Sequence, residues 1–412
     1  FTDFYATSPV CAPSRAGQMT GRDPNRYGLT FLCHNGQYDA PVYHHVPLHE
    51  PMLSRQLQRA GYRTCHIGKW HLSIPGVYDN PSPAEYGFDH YLILPPDGRG
   101  MYRNPTDWNR NGETVSGKLA DWAPDLYVDE AIAFIRETGD QPFYINLWTF
   151  TPHEDVACAE EYKKMYEGRT EAEQTYYGSL TQQDDAFGRL FRFLDDAGLS
   201  ENTVVIFASD NGPEHPLLPW VQYSAGSTGP FRGSKHLLYE GGIRVPGIIR
   251  WPSLSKPGSV SRVPVSTIDL FPTLCAAAGA PLPPDIPLDG ADMRPAFFSK
   301  PMERPHALYW QYDRAPIEHR HRGEIFTSPP IAVREGPWKI LCDTTMNAVE
   351  LYNLDFDQGE KWNLAAKYPD IAAGLREKVK AIHADVQASA DMAQGFLNPK
   401  MPPPSKEPLR LG

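Results

Sequence analysis

Long hydrophobic runs are absent from the 412 residues, and none approaches the ~20 apolar residues that a membrane-crossing helix needs. Six cysteines occur, Cys11, Cys33, Cys65, Cys158, Cys275 and Cys342, and no two form a Cys-x-x-Cys pair. That spacing indicates neither a zinc site nor a dense disulfide framework. Setting Cys11 aside leaves an odd number, so at least one stays unpaired within the chain. Excess positive charge is missing as well: 39 Lys and Arg face 50 Asp and Glu, a formal net charge of -11. Nonspecific nucleic-acid binding is disfavoured, and an anionic substrate would need a local basic pocket working against the global field. No internal repeat or low-complexity tract stands out. The opening Phe1-Thr2-Asp3-Phe4-Tyr5 has neither a basic start nor an apolar core, so it does not read as a signal peptide.

What is present is a soluble globular composition, 41% hydrophobic and 22% charged. The length exceeds one ordinary core and predicts a large domain with a smaller one. The 41 prolines and 33 glycines imply many ordered loops, typical of a site built from loop ends. Short β-rich runs alternate with helical patterns through the first two thirds, which predicts an α/β fold with a large mixed, mostly parallel sheet flanked by helices. Residues 64–67, 143–148, 203–208 and 245–249 read as strands. Residues 53–60, 126–137 and a stretch from Tyr176 to Leu194 read as sheet-covering helices closed by Gly61, Gly139 and Gly198. A proline-rich passage at 281–287 leads into strand candidates at 306–311, 331–334, 338–342 and 349–354 and a helix at about 370–391. The expected division is a catalytic domain over 1–300 and an α+β subdomain over 301–412.

The most informative stretch is Ser8-Pro9-Val10-Cys11-Ala12-Pro13-Ser14-Arg15. Pro13 lacks an N–H and suits the first turn of a helix, and Arg15 follows Cys11 by four residues, a spacing that brings side chains together. A thiol beside a permanent cation at a helix N-terminus has a lowered pKa and a setting that welcomes anions. A buried structural thiol is the plain alternative. In Ser209-Asp210-Asn211-Gly212, a carboxylate and an amide oxygen follow an apolar strand, a donor pair suited to Ca²⁺ or Mg²⁺, although Asp-Asn-Gly is also ordinary turn chemistry. In Gly68-Lys69-Trp70-His71-Leu72, Lys69 and His71 alternate and face one side if the backbone stays extended. Thr151-Pro152-His153 ends another strand and reaches the same sheet edge if the strands are parallel. Lys235 lies in Gly229-Pro230-Phe231-Arg232-Gly233-Ser234-Lys235, followed by Tyr239-Glu240-Gly241-Gly242-Ile243-Arg244. Arg232 and Arg244 could instead be structural ion-pair partners.

Cys11-Ala12-Pro13-Ser14-Arg15, extended by Met19-Thr20-Gly21-Arg22, resembles the type I sulfatase signature of the alkaline phosphatase-like superfamily. The Ser-Asp-Asn-Gly, Gly-Lys-Trp-His-Leu and Gly-Ser-Lys runs resemble further motifs of that family in the same order, and Glu350-Leu351-Tyr352-Asn353-Leu354 resembles a later one. Four matched motifs in one order are far harder to reach by chance than one. The resemblance implies that Cys11 is oxidised to formylglycine by a maturation enzyme and that the reaction is hydrolysis of a sulfate ester, on a sulfated carbohydrate by family habit. Arg15 would then hold the aldehyde hydrate, and His71 would assist its collapse. Lys69, His153 and Lys235 would bind sulfate oxygens. Asp210, Asn211 and the modified Cys11 would hold Ca²⁺, with Mg²⁺ as the other candidate. A periplasmic, secreted or lysosomal location is implied by the same resemblance, with no nucleic-acid partner and no membrane span.

The family's opening strand, which ends in paired aspartates that bind the cation, is not matched, so the chain reads as an N-terminally truncated member. A cation wanting ~6 or more oxygens would be short of ligands. The rival expectations are a phosphodiester or phosphonate hydrolase of the same superfamily and a noncatalytic relative that binds sulfated glycans.

Overall fold

A computed structural model describes residues 1–31, 45–73, 80–95, 100–215, 222–312, 327–347 and 349–394. Cys33 lies outside the described residues. The largest sheet is built from β2 (Arg63–Gly68), β3 (His90–Ile93), β4 (Trp108–Arg110), β5 (Glu113–Val115) and β6 (Phe143–Trp148), in the order β5-β4-β3-β2-β6. Its centre is parallel, with β2 between β3 and β6, and its β4 and β5 edge is antiparallel. Two-stranded sheets pair β1 (Phe4–Tyr5) with β9 (Val265–Ser266), parallel, and β7 (Val205–Ala208) with β8 (Gly247–Arg250), antiparallel.

Helices cover these strands. They are α1 (Cys11–Thr20), α2 (Leu53–Arg59), α3 (Ala123–Thr138), the short α4 (Glu160–Lys164), α5 (Glu171–Asp196), α6 (Glu240–Ile243) and α7 (Leu270–Ala278). Thr170 caps α5 reciprocally with Glu173, a capping box that satisfies orphan N–H groups at its start. The apolar face of α3, with Leu126, Tyr127, Ala131 and Phe134, is buried against Cys65, Ile67 and Leu92 of the sheet. Ala12, Ala16 and Met19 of α1 share a second core with Leu53, Leu57, Phe271 and Cys275, so the helix that begins at Cys11 is held on two sides.

The chain then forms an antiparallel sheet of β10 (Leu308–Gln311), β11 (Ile331–Glu335), β12 (Trp338–Cys342) and β13 (Val349–Asn353). One face packs on α8 (Pro369–Gln394) through Leu375, Val379, Ile382 and Val386. The other face meets Tyr5, Val10 and Leu237 to Tyr239, which joins this sheet to the segments around Cys11 and Lys235.

Among the described residues, β6 and β7 are each paired on one side only. A cavity of about 1630 Å³ runs between them. Ile145 and Leu147 of β6, Val205 and Phe207 of β7, and Phe187, Leu190 and Phe191 of α5 line its apolar length.

Candidate active site

At one end the same cavity is polar. Cys11, Arg15, Lys69, His153, Asp210, Asn211 and Lys235 all line it. They come from five separate segments: the start of α1, the loops that follow β2, β6 and β7, and the loop that leads into α6. Cys11 opens α1 after the extended Val10, with no acidic side chain in the first turn, so the helix presents its positive end there. Pro13, in that first turn, removes an N–H that has no helical partner. Because β2 and β6 run parallel, Lys69 and His153 leave the sheet on the same edge.

Gly68 makes the Lys69 approach possible. It has φ +100, and a Cβ there would lie 2.2 Å from the Trp148 carbonyl oxygen, to which the Lys69 N–H donates at 2.8 Å. Beyond it the expected alternation fails, because His71 adopts φ +61 and the backbone is no longer extended. His71 is accordingly not among the residues lining the cavity.

Arg15 binds the site together. Its Nε donates to Asp210 Oδ2 at 2.8 Å and its Nη1 to the Lys69 carbonyl at 3.2 Å, while Nη2 lies 2.7 Å from the same carboxylate oxygen. The guanidinium stands 4.6 Å from the centre of the Trp148 ring, a cation–π contact that fixes its plane. Asp210 is thus engaged by Arg15 as well as available to a cation. Asn211 Nδ2 donates to the Gly212 carbonyl at 2.8 Å, and its Oδ1 is buried without a hydrogen-bond partner. An orphaned buried amide oxygen beside a carboxylate fits a hard cation. Among the described residues no group of three or more His, Cys, Asp or Glu is arranged to hold a metal, so Asp210 and Asn211 fit the ion without completing its shell.

Charges at the site are unequal. Burial works against a thiolate at Cys11, but Lys69 and Lys235, helped by Arg15, bring its pKa below the ordinary value. Burial likewise opposes the Asp210 carboxylate, and Arg15, Lys69 and Lys235 nevertheless hold it well below the usual range. Lys69 is pushed down by burial, with only partial relief from Cys11. Lys235 is raised despite burial, chiefly because Glu214 faces it, with Nζ 2.5 Å from Oε2. His153 Nδ1 donates to the Glu154 carbonyl at 2.6 Å, which leaves the lone pair of the neutral ring on Nε2. The surrounding protein, then Lys69 and Lys235, lower its pKa. Water at its exposed face moderates that effect.

Arg232 and Arg244 take the structural alternative. Arg244 pairs with Asp3 at 3.1 Å and Glu240 at 3.2 Å, and Arg232 stacks 3.8 Å from the Tyr239 ring centre and donates to the Tyr352 hydroxyl. Sequence reasoning missed Glu214 and Trp148. An acid three residues past Asn211 was a visible signal for the first; nothing local marked the second.

A family model described as Sulfatase matches residues 1–280, and one described as N-sulphoglucosamine sulphohydrolase, C-terminal, matches residues 229–385. N-acetylgalactosamine-6-sulfatase of Mus musculus is 33% identical over 330 residues, covering 75% of this chain and 61% of that protein. The chain thus spans about three fifths of that relative's length. Arylsulfatase A of Homo sapiens is 31% identical over 430 residues, 92% of this chain and 79% of that one. The solved structure of Ps i-CgsB in complex with k-i-k-neocarrahexaose superposes with a TM-score of 0.79 at 25% identity, covering 94% of this chain and 84% of that one. With most of its length matched and its signature residues gathered at one cavity end, the chain belongs to the sulfatase family of sulfuric ester hydrolases.

Proposed function

We propose that this chain hydrolyses sulfate esters of a sulfated carbohydrate, with residue 11 acting as formylglycine. The observation that carries the reading is the cluster of Arg15, Lys69 and Lys235 around Cys11 at the start of α1, a local basic pocket in an acidic protein. Formylglycine, once formed by a maturation enzyme, supplies a hydrate with two hydroxyls on one carbon, one to take the sulfuryl group and one to expel it. Arg15, already locked by Asp210 and Trp148, orients that hydrate. Lys69 and Lys235 neutralise sulfate oxygens, and their charge acts most strongly where water is excluded. His153 joins them by taking a proton on Nε2, a form that a bound sulfate favours. The acceptance of a hydroxyl proton falls to His71 by the Gly-Lys-Trp-His-Leu motif alone, since His71 does not line the cavity.

Asp210 and Asn211 are the proposed holders of a Ca²⁺ or Mg²⁺ ion, whose charge would add to that of the lysines. Its remaining oxygens would come from carboxylates at the end of a further β-strand seated between β6 and β7. Two unpaired strand edges and an apolar lining support that placement, since a strand there would satisfy both rows of backbone groups. A location outside the cytosol, periplasmic, secreted or lysosomal, goes with this reading; no helix among the described residues is long and apolar enough to cross a membrane.

Parallel rates on an aryl sulfate and an aryl phosphate diester test the reading. The sulfate is expected to have the higher kcat/KM, and Cys11→Ala to abolish its turnover. Faster phosphate-diester cleavage would move the chain to the phosphodiesterase reading. Tight binding of a sulfated glycan without turnover would make it a binding protein.

A further inference from the structure

Glu214 is a carboxylate at the polar end of the cavity that pairs with Lys235 and not with Arg15. Its Oε2 lies 2.5 Å from Lys235 Nζ, and the two side chains are 14% and 9% exposed. Its Oε1 faces His236 Nε2 at 3.6 Å, too long for a direct hydrogen bond. The other ring nitrogen of His236 is 3.0 Å from the Tyr312 hydroxyl, and Tyr312 follows directly on β10. His236 holds this place from a left-handed backbone, φ +74, with its N–H donating to the Pro9 carbonyl at 3.0 Å. Glu214 therefore stands between the substrate-facing lysine and a ring fixed from the C-terminal sheet.

A backbone contact already joins the two segments: the Lys235 N–H donates to the Pro213 carbonyl at 2.9 Å. The Glu214 side chain is not needed to hold the loops together. What it adds is direction and charge. A lysine ammonium has three N–H donors; Glu214 takes one and leaves the others for an anion. A flexible four-carbon stem loses its freedom in advance of binding when its tip is tethered by a charge-assisted bond. Among the described residues no carboxylate tethers Lys69 in this way; its ammonium stands 5.5 Å from the Phe150 ring centre.

We infer that Glu214 is a positioning residue for sulfate-ester hydrolysis, which tethers Lys235 toward the sulfate and is itself backed by His236. The inference rests on the proposed sulfatase reading. A double-mutant cycle on the mature protein tests it, joined by an acylation measurement that does not depend on turnover. Glu214→Gln should lower kcat on an aryl sulfate by about 10- to 100-fold with a smaller change in KM, the scale expected of a misplaced catalytic group. Glu214→Asp should recover part of that loss. In a Lys235→Ala background, Glu214→Gln should change the rate by less than about twofold, because the two act as a unit. Acylation of Lys235 by an anhydride at neutral pH, read by peptide mass spectrometry, should rise several-fold in Glu214→Gln as the tether is lost. An unchanged acylation rate, or an equal loss in both backgrounds, would overturn the inference. Faster acylation in a protein that turns over no sulfate ester would leave the pair standing and remove the sulfatase reading instead.

Discussion

Lys69 and Lys235 both face Cys11, yet their surroundings divide them: one is depressed by burial, the other held charged by Glu214. Lys235→Ala should therefore weaken binding and the chemical step together, raising KM and lowering kcat, since in the proposed role its charge would meet sulfate throughout the reaction. His71→Ala should lower kcat with less effect on KM, because a proton acceptor matters only as bonds change; the expected loss is ~10²-fold. Steady-state kinetics of both variants check this, and near-normal rates in both would remove these assignments. Buried His66 supplies a pH test. Burial, with Arg15 nearby, lowers its pKa from 6.5 to about 3, and Asn146 Nδ2 donates to its Nδ1 at 3.1 Å. Between those values the unfolded chain binds a proton that the folded one does not, so stability is kept above pH 6.5 and falls as pH drops toward 3. Urea midpoints should show that fall, and His66→Gln should flatten it; an identical acid slope in the variant would contradict the assignment. Cys11 and Arg15 were legible from their spacing, Asp210 from its place after an apolar strand, and Lys235 from a motif that resembles one of the family's. Trp148 under Arg15 was not, since a ring in an apolar strand looks the same whether or not a guanidinium rests on it.

Element ends, rather than element interiors, make the site. The strand expected over 143–148 is found there, and the one expected from 203 starts at Val205. Those boundaries sufficed to put Lys69, His153 and Asp210 at strand ends. They did not show that β7 pairs antiparallel with β8 or that its other edge opens on a cavity, because pairing partners are set by long-range packing. The turn after β7 is also fixed from outside. The Gly212 N–H donates to the Gly242 carbonyl at 2.9 Å, and a Cβ on Gly212 would lie 1.9 Å from the Gly241 carbonyl oxygen. Gly212→Ala should push the Asp210 turn away from α6. The expected result is a loss of cation affinity and of activity by ~10²-fold, read by calorimetry and kinetics, with far-UV circular dichroism unchanged.

Across the whole molecule, the C-terminal sheet is tied to the site by a buried charge network. Lys339 of β12 is fully buried between Glu240 at 2.9 Å and Glu360 at 2.8 Å, and Glu240 also meets Arg244. The Glu240 N–H donates to Glu360 Oε2 at 2.6 Å. Burial, reinforced by Glu240 and only partly offset by Lys339, pushes Glu360 up. Lys339→Met leaves both carboxylates without their shared cation and should cost about 3–5 kcal/mol in urea unfolding; a change within about 0.5 kcal/mol would show the network to be incidental. Arg244 was open to this role in the sequence, but Lys339 was not, since a lysine in an alternating strand reads as solvated. The apolar slot between β6 and β7 belongs to the same scale. Joining an apolar β-run that ends in two aspartates ahead of Phe1 should fill it and raise both cation affinity and activity, measured by calorimetry and aryl-sulfate turnover. Full activity without that run would contradict the placement.

The most direct measurement takes this strand-bearing protein, made together with a maturation enzyme, and follows residue 11 by peptide mass spectrometry while aryl-sulfate turnover is recorded on the same sample. The expected result is formylglycine at position 11, alcohol and sulfate released in equal amounts, and activity in proportion to the converted fraction. An active preparation in which residue 11 is wholly an unmodified thiol, or equal turnover by Cys11→Ala, would contradict it.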